Sequence, residues 1–202
     1  NMDREIFLPV MFADDFLFVQ SVENIETLSG KAGISISKLD DFMKAMEAVF
    51  QQGLEIGAVC MKLAAAYRRP LDFPEVAEYE ARRIFESISG DRQLSYREML
   101  DLGNFALHRL LDLCKKHETP IQVHTGLQEY IRQDIRNSNP ADLIPLFLKY
   151  PDISFDIFHI AYPFSDVLVT IGKNFPNVYV DFSWAHVFSP AASAYTLDRC
   201  IE

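Results

Sequence analysis

The sequence predicts an α/β fold, a parallel sheet whose strands are joined by helical crossovers. Short apolar runs alternate with stretches of helical period along the whole chain. Each run is followed by a helix, the pattern of right-handed β–α–β connections. The polar residues able to do chemistry stand at the carboxyl ends of the runs, where such folds gather function. No stretch rich in Gly and Ser divides the chain, so residues 1–202 read as one domain.

The elements follow in order. Ile6 to Ala13 is a buried strand weakened by Pro9, which cannot donate to a ladder. Ser35 to Gln52 is a helix, with Ile36, Leu39, Met43, Met46 and Phe50 spaced by three or four. Gly57 to Ala66 is the second strand. A helix from Pro74 to Ser87 follows, with proline at a tolerated first-turn position. Ser95 opens a longer helix reaching His117, and Glu98 three residues on completes a capping box. The second half repeats the rhythm more tightly. Strands at Pro120–Thr125, Ser154–His159 and Val178–Phe182 alternate with helices at Asn139–Lys149, Phe164–Asn174 and Pro190–Ile201. About five strand–helix units result. An open doubly wound sheet is complete at this length, whereas a closed barrel needs eight units and about 250 residues.

Composition narrows the classes of function. Hydrophobic residues make up 49% of the chain and charged residues 24%, ordinary for a folded domain. A formal net charge of −10 opposes a nucleic-acid surface. No run is apolar enough to span a bilayer, and the first residues lack a signal-peptide core. Cys60, Cys114 and Cys200 form no CxxC pair and read as free thiols of a cytoplasmic protein. No Gly-rich phosphate loop and no GxSxG elbow occurs, which argues against a nucleotide enzyme or a serine hydrolase.

The candidate chemistry lies at strand ends. His124 ends one strand and His159 the next. Neutral imidazole binds divalent metals, and adjacent parallel strands bring their ends together. Either histidine alone fits a buried structural role; the matched pair points to one site. Lys62 lies late in an apolar strand, where an ammonium is costly unless paired or modified. An ion pair, snorkelling to the rim, contact with a substrate carboxylate and conversion to a ligating carbamate all stay open. Arg68 suits a carboxylate, whereas Arg69 reads as a solvated surface residue. Asp14-Asp15 reads as a cap and turn pair. Asp181, Ser183, Trp184 and His186 cluster after the last strand. His108 and His117 read as helix residues, the latter complementing a helix dipole.

Four segments together resemble the amidohydrolase superfamily. They are Lys62-Leu63-Ala64-Ala65-Ala66-Tyr67-Arg68-Arg69, Pro120 to Gln128 with its His-Thr-Gly, Phe158-His159-Ile160-Ala161-Tyr162-Pro163, and Phe175 to Asp181. The likeness is to the amidohydrolase-2 group, near the uronate isomerases and the amidohydrolase domains fused to glutamine synthetase in nodulin-like proteins. It runs from Gly57 onward. It implies a (β/α)8 TIM barrel with one or two divalent metals, often zinc. This chain would hold strands three to seven with their helices, an incomplete barrel. His124 would be the fifth-strand ligand, His159 the sixth-strand histidine, and Lys62 would match the position where many members carry a metal-bridging carboxylated lysine. His159 and Lys62 would serve catalysis. Tyr67, Arg68, Gln128 and Trp184 would bind substrate. Two departures stand out: no His-x-His occurs in the chain, and the eighth-strand Asp would lie beyond Glu202.

The resemblance implies a metal-dependent hydrolase acting on an amide, lactone or similar bond of a small substrate. A uronate-type isomerase is the second reading. A catalytically silent barrel piece, serving as a structural or interaction module, is the third. An unclosed barrel exposes strand edges and apolar surface, which predicts a homo-oligomer.

Overall fold

The computed structural model describes residues 6–88, 92–129 and 132–202. Strands β1 (Val10–Phe12), β2 (Cys60–Leu63), β3 (Ile121–Val123), β4 (Phe155–Ile157) and β5 (Val178–Val180) follow one another across the sheet in chain order. The chain divides into two compact units: Asn1–Met61 with Pro74–His117, and Lys62–Phe73 with Glu118–Glu202.

The first unit is mostly helical. It contains α1 (Asp14–Leu17), α2 (Val22–Ala32), α3 (Leu39–Glu55), α4 (Glu78–Glu86) and α5 (Tyr96–Lys116). The helix α2 was not expected, yet its signals are in the sequence. Ser21 and Asn24 form a reciprocal capping box, and Gly33 ends the helix at φ 68, a left-handed C-cap that suits glycine. The capping box expected at Ser95 and Glu98 is present. Asp14 and Asp15 sit in the first turn of α1, and Asp15 pairs with Lys31.

The stripe of α3 is shifted from the expected one. Leu39, Phe42, Met46 and Phe50 are buried, whereas Met43 is only half-buried. Phe42 stacks edge-on to Phe16 at 5.9 Å and lies 5.2 Å from Phe85. It thereby joins α1, α3 and α4. The helix α5 approaches α1 so closely that a Cβ on Gly103 would strike the Leu17 backbone. An apolar cavity of about 330 Å³ lies in this unit, lined by Met11, Phe16, Met46, Phe50, Met61 and Leu110 among others.

The second unit holds the tighter repeats: the end of β2, then β3, β4 and β5, with α6 (Ile144–Lys149), α7 (Ser165–Asn174), α8 (Ala185–Phe188) and α9 (Pro190–Ile201). The strands β3, β4 and β5 are parallel. Ile121 pairs with Phe155 and Phe155 with Val178, while Gln122 pairs with Asp156 and Asp156 with Tyr179. Alternation decides the faces. Ile121, Val123, Phe155 and Ile157 are buried, and the row between them is polar, with Gln122 Nε2 donating to Asp156 Oδ2 at 3.2 Å. His124 N donates to Leu63 O at 2.9 Å, linking the end of β2 to β3.

The strands are shorter than expected, and buried residues such as Ala65, Thr125 and Ile160 continue into the turns that follow them. The run Gly57–Ala66 is strand only at Cys60–Leu63, and Ala65–Tyr67 forms a 3-10 turn. Asn139 starts its helix as expected, but through a 3-10 turn over Pro140–Leu143. The helix expected from Pro74 begins at Glu78. Among the described residues, no helix is long and apolar enough to cross a membrane.

Candidate functional site

The site lies within the second unit, at the carboxyl ends of its strands. His124 follows β3 directly and is buried, with 7% of its surface exposed. His159 lies two residues beyond β4 and is half-buried. It does not extend the strand, as the sequence suggested. His159, Ile160 and Ala161 turn through left-handed conformations at φ 67, 49 and 47. This turn swings the His159 ring towards His124, with ring centroids 4.8 Å apart. Tyr67, in the turn after β2, lies 4.6 Å from the His124 ring. Phe158 and Phe188 flank His159 at 5.1 and 6.3 Å. Three strand ends thus deliver Tyr67, His124 and His159 to one ring cluster.

Backbone carbonyls orient both imidazoles. His124 Nε2 lies 3.2 Å from Leu127 O, and His159 Nδ1 lies 2.7 Å from Ser183 O. A carbonyl only accepts, so each of these nitrogens carries the proton. That assigns the lone pairs to His124 Nδ1 and His159 Nε2. Burial holds the His124 pKa down to about 4, helped by the neighbouring His159 and the charge of Lys62. Burial lowers that of His159 too, against the raising effect of the Ser183 carbonyl. Both rings are therefore neutral near pH 7, the form that ligates a metal.

Lys62 belongs to the same neighbourhood. Its Nζ lies 3.0 Å from the centroid of the Phe158 ring, a cation–π contact, and its charge acts on both histidines. Asp156 and Asp181 supply the negative charge nearby, and burial together with Asp181 pushes the Asp156 carboxyl above the usual range. Sequence reasoning missed Asp156. Its signal was a carboxylate between Phe155 and Ile157, on the polar face of an otherwise apolar strand.

The other candidates separate. Gln128 is buried, donates from Nε2 to Ala66 O at 2.6 Å, and keeps a buried Oε1 with no hydrogen-bond partner among the described residues. Tyr67 Oη accepts from Glu129 N at 3.4 Å. Arg68 is exposed, and Trp184 is 65% exposed at a left-handed position before α8. Arg69 is a correction: it is not a solvated surface residue but 1% exposed. Its guanidinium donates to Pro70 O and Asp72 O and stacks on Phe73 at 4.3 Å. A planar cation that saturates carbonyls on its edges and an aromatic on its face can be buried.

Two neutral imidazoles with assigned lone pairs fit a divalent metal by donor chemistry. Among the described residues, no group of three or more His, Cys, Asp or Glu is spaced to hold one. Among the described residues the site thus offers two imidazole nitrogen donors, and Lys62 adds none while it is an ammonium.

Comparison with known proteins bears on the family and the fold. A family model for amidohydrolases matches residues 57–202. Protein fluG of Emericella nidulans is 27% identical over 155 residues, covering 70% of this chain and 18% of fluG. Among solved structures, the uronate isomerase of Thermotoga maritima matches at TM-score 0.74 and 20% identity, over 96% of this chain and 47% of its own. A protein of Lactobacillus casei assigned as a metal-dependent hydrolase matches at TM-score 0.72 and 20% identity, over 96% of this chain and 48% of its own. The chain therefore spans about half the length of these solved structures. The likenesses show the fold: an α/β arrangement of parallel strands and helices that corresponds to part of a barrel.

Proposed function

The chain belongs to the amidohydrolase family, and from that premise we propose that His124 and His159 hold a divalent metal in a hydrolase of small substrates. The family typically uses such a metal. The observation that carries the reading is the pair of neutral imidazoles at successive strand ends, 4.8 Å apart, each with its proton directed to a backbone carbonyl. When bound, a divalent metal such as zinc polarises a carbonyl and lowers the pKa of water towards neutrality.

The chain's own residues supply the rest. His124 Nδ1 and His159 Nε2 would be the ligating atoms. Lys62, if carboxylated, would add an anionic ligand; as an ammonium it stabilises negative charge developing beside His159. Tyr67 and Gln128 would border the substrate. Arg68 and Trp184, both exposed, would meet its outer end, where a guanidinium suits a carboxylate. Reaction at an amide, lactone or similar bond is the first reading. Sugar-acid isomerisation is the second, favoured by the fold shared with the Thermotoga uronate isomerase. Assay of uronates against a panel of amides and lactones separates them.

Metal analysis of the full-length protein tests the reading. Stoichiometric divalent metal is expected in the natural protein, lost in His124→Ala and His159→Ala. It is kept in His186→Ala, which alters an exposed histidine of the same unit. A natural protein without metal, or metal retained in both alanine variants, overturns the proposal.

A further inference from the structure

Gly126 stands where the loops bearing His124 and His159 meet. Its φ is 68, and a Cβ there would collide with the Ala161 carbonyl group and the Tyr162 oxygen. Facing it are His159, Ile160 and Ala161, three successive non-glycine residues at positive φ. Ile160 is β-branched and fully buried. L-residues avoid this region, and a run of them persists only where the surroundings over-determine it.

Those surroundings come largely from one segment. Thr125 Oγ1 donates to Phe158 O at 2.8 Å, just before the left-handed run. Leu127 N donates to Tyr162 O at 2.6 Å, just after it. Between them Gly126 lets the two backbones touch. Ile160 N donates to Asp181 O at 2.8 Å and holds the middle from another strand end. The same segment also holds the first imidazole, because Leu127 O is the carbonyl facing His124 Nε2. Thr125 is fully buried, so its hydroxyl is shielded from bulk solvent.

We propose that Thr125-Gly126-Leu127 is a positioning clamp. It orients His124 through its own carbonyl and pins the left-handed turn that aims His159. One segment thus supports both imidazoles, while Asp181 and Ser183 hold the His159 side from another strand end. None of the three is a catalytic residue. The clamp stands on the geometry alone, and its consequence for metal affinity rests on the reading given under Proposed function.

Thr125→Val removes the donor at nearly constant shape, and Thr125→Ser restores it. Nuclear magnetic resonance of the full chain at fixed pH reads the His159 imidazole nitrogens and the amide–Hα coupling of Ile160, which reports φ. Thr125→Val is expected to move both, and Thr125→Ser to return both to the natural values, with the His186 ring unmoved throughout. Gly126→Ala is expected to move both further. Should it not fold, the Thr125 pair decides. A folded Thr125→Val with unchanged His159 and Ile160 signals overturns the clamp, even if its melting temperature falls. Cobalt(II) titration of the full-length protein supplies the second reading. An affinity loss of about tenfold in Thr125→Val, recovered in Thr125→Ser, is expected. If the natural protein takes up no cobalt, the proposed function fails, while the resonance signals still judge the clamp.

Discussion

The two units solve the burial of polar groups differently. Of the eleven buried polar residues among those described, Asn104 and His108 belong to the helical unit and the other nine to the strand-end unit. The helical unit keeps its charges outside, in surface pairs such as Arg82 with Asp40 and Glu78, and fills its interior with Phe16, Phe42, Phe85 and Met46. The strand-end unit buries Arg69, His124, Thr125 and Gln128, and engages each with a backbone carbonyl. Buried polar groups cost free energy unless hydrogen-bonded, and the satisfied networks give rigid, specified geometry. The contrast agrees with the proposed site: the helical unit keeps its interior apolar, whereas the strand-end unit buries the polar groups around the two imidazoles.

Phe42→Ala is the largest challenge to that division. Truncating a fully buried phenylalanine that joins three helices should lower stability by about 3–5 kcal/mol. Urea unfolding measures it. The His124 and His159 ring resonances of the folded fraction should stay in place, and their displacement would break the separation of roles.

Acid probes the other unit. An unfolded histidine titrates near 6.5, whereas folded His124 resists protonation down to about 4. As pH falls from 6.5 to about 4, the unfolded chain takes up a proton that the folded chain refuses. Stability from this group therefore falls across that window and is level outside it, by roughly 3 kcal/mol in all. His159, shifted the same way, steepens the loss. Unfolding free energies between pH 7.5 and 4.5 should show the slope, and His124→Gln should flatten it. An equal slope in that variant would assign the acid sensitivity elsewhere.

The smallest effect concerns a cap. Ser95 Oγ accepts from Glu98 N, and Ser95 N donates in return to the Glu98 carboxylate, which also pairs with Arg92. Ser95→Ala should cost about 1 kcal/mol in thermal or urea unfolding. It should leave the imidazole signals untouched, which sharpens the comparison from the stable side.

Much of the molecule was legible in the sequence because its signals are local. The alternation of apolar runs and periodic helices, the capping box at Ser95 and the strand-end positions of His124 and His159 depend on residues a few places apart. The helix at Val22–Ala32 carries local signals too, in Ser21 and Gly33, although it buries only Leu28 and Ala32. Asp156 was hidden for another reason: a single polar residue in a strand means little until register sets it beside Gln122 and Tyr179.

What the sequence alone determined is the fold class and the family, and it marked the two histidines as candidates, since period and motif are properties of neighbours along the chain. Only tertiary structure decided how they meet. The left-handed turn at His159 and the collision that reserves residue 126 for glycine arise between segments some thirty or more residues apart or at a backbone conformation that residue type opposes. Such features follow from packing and hydrogen bonding summed over the whole unit, and no local rule of sequence contains them.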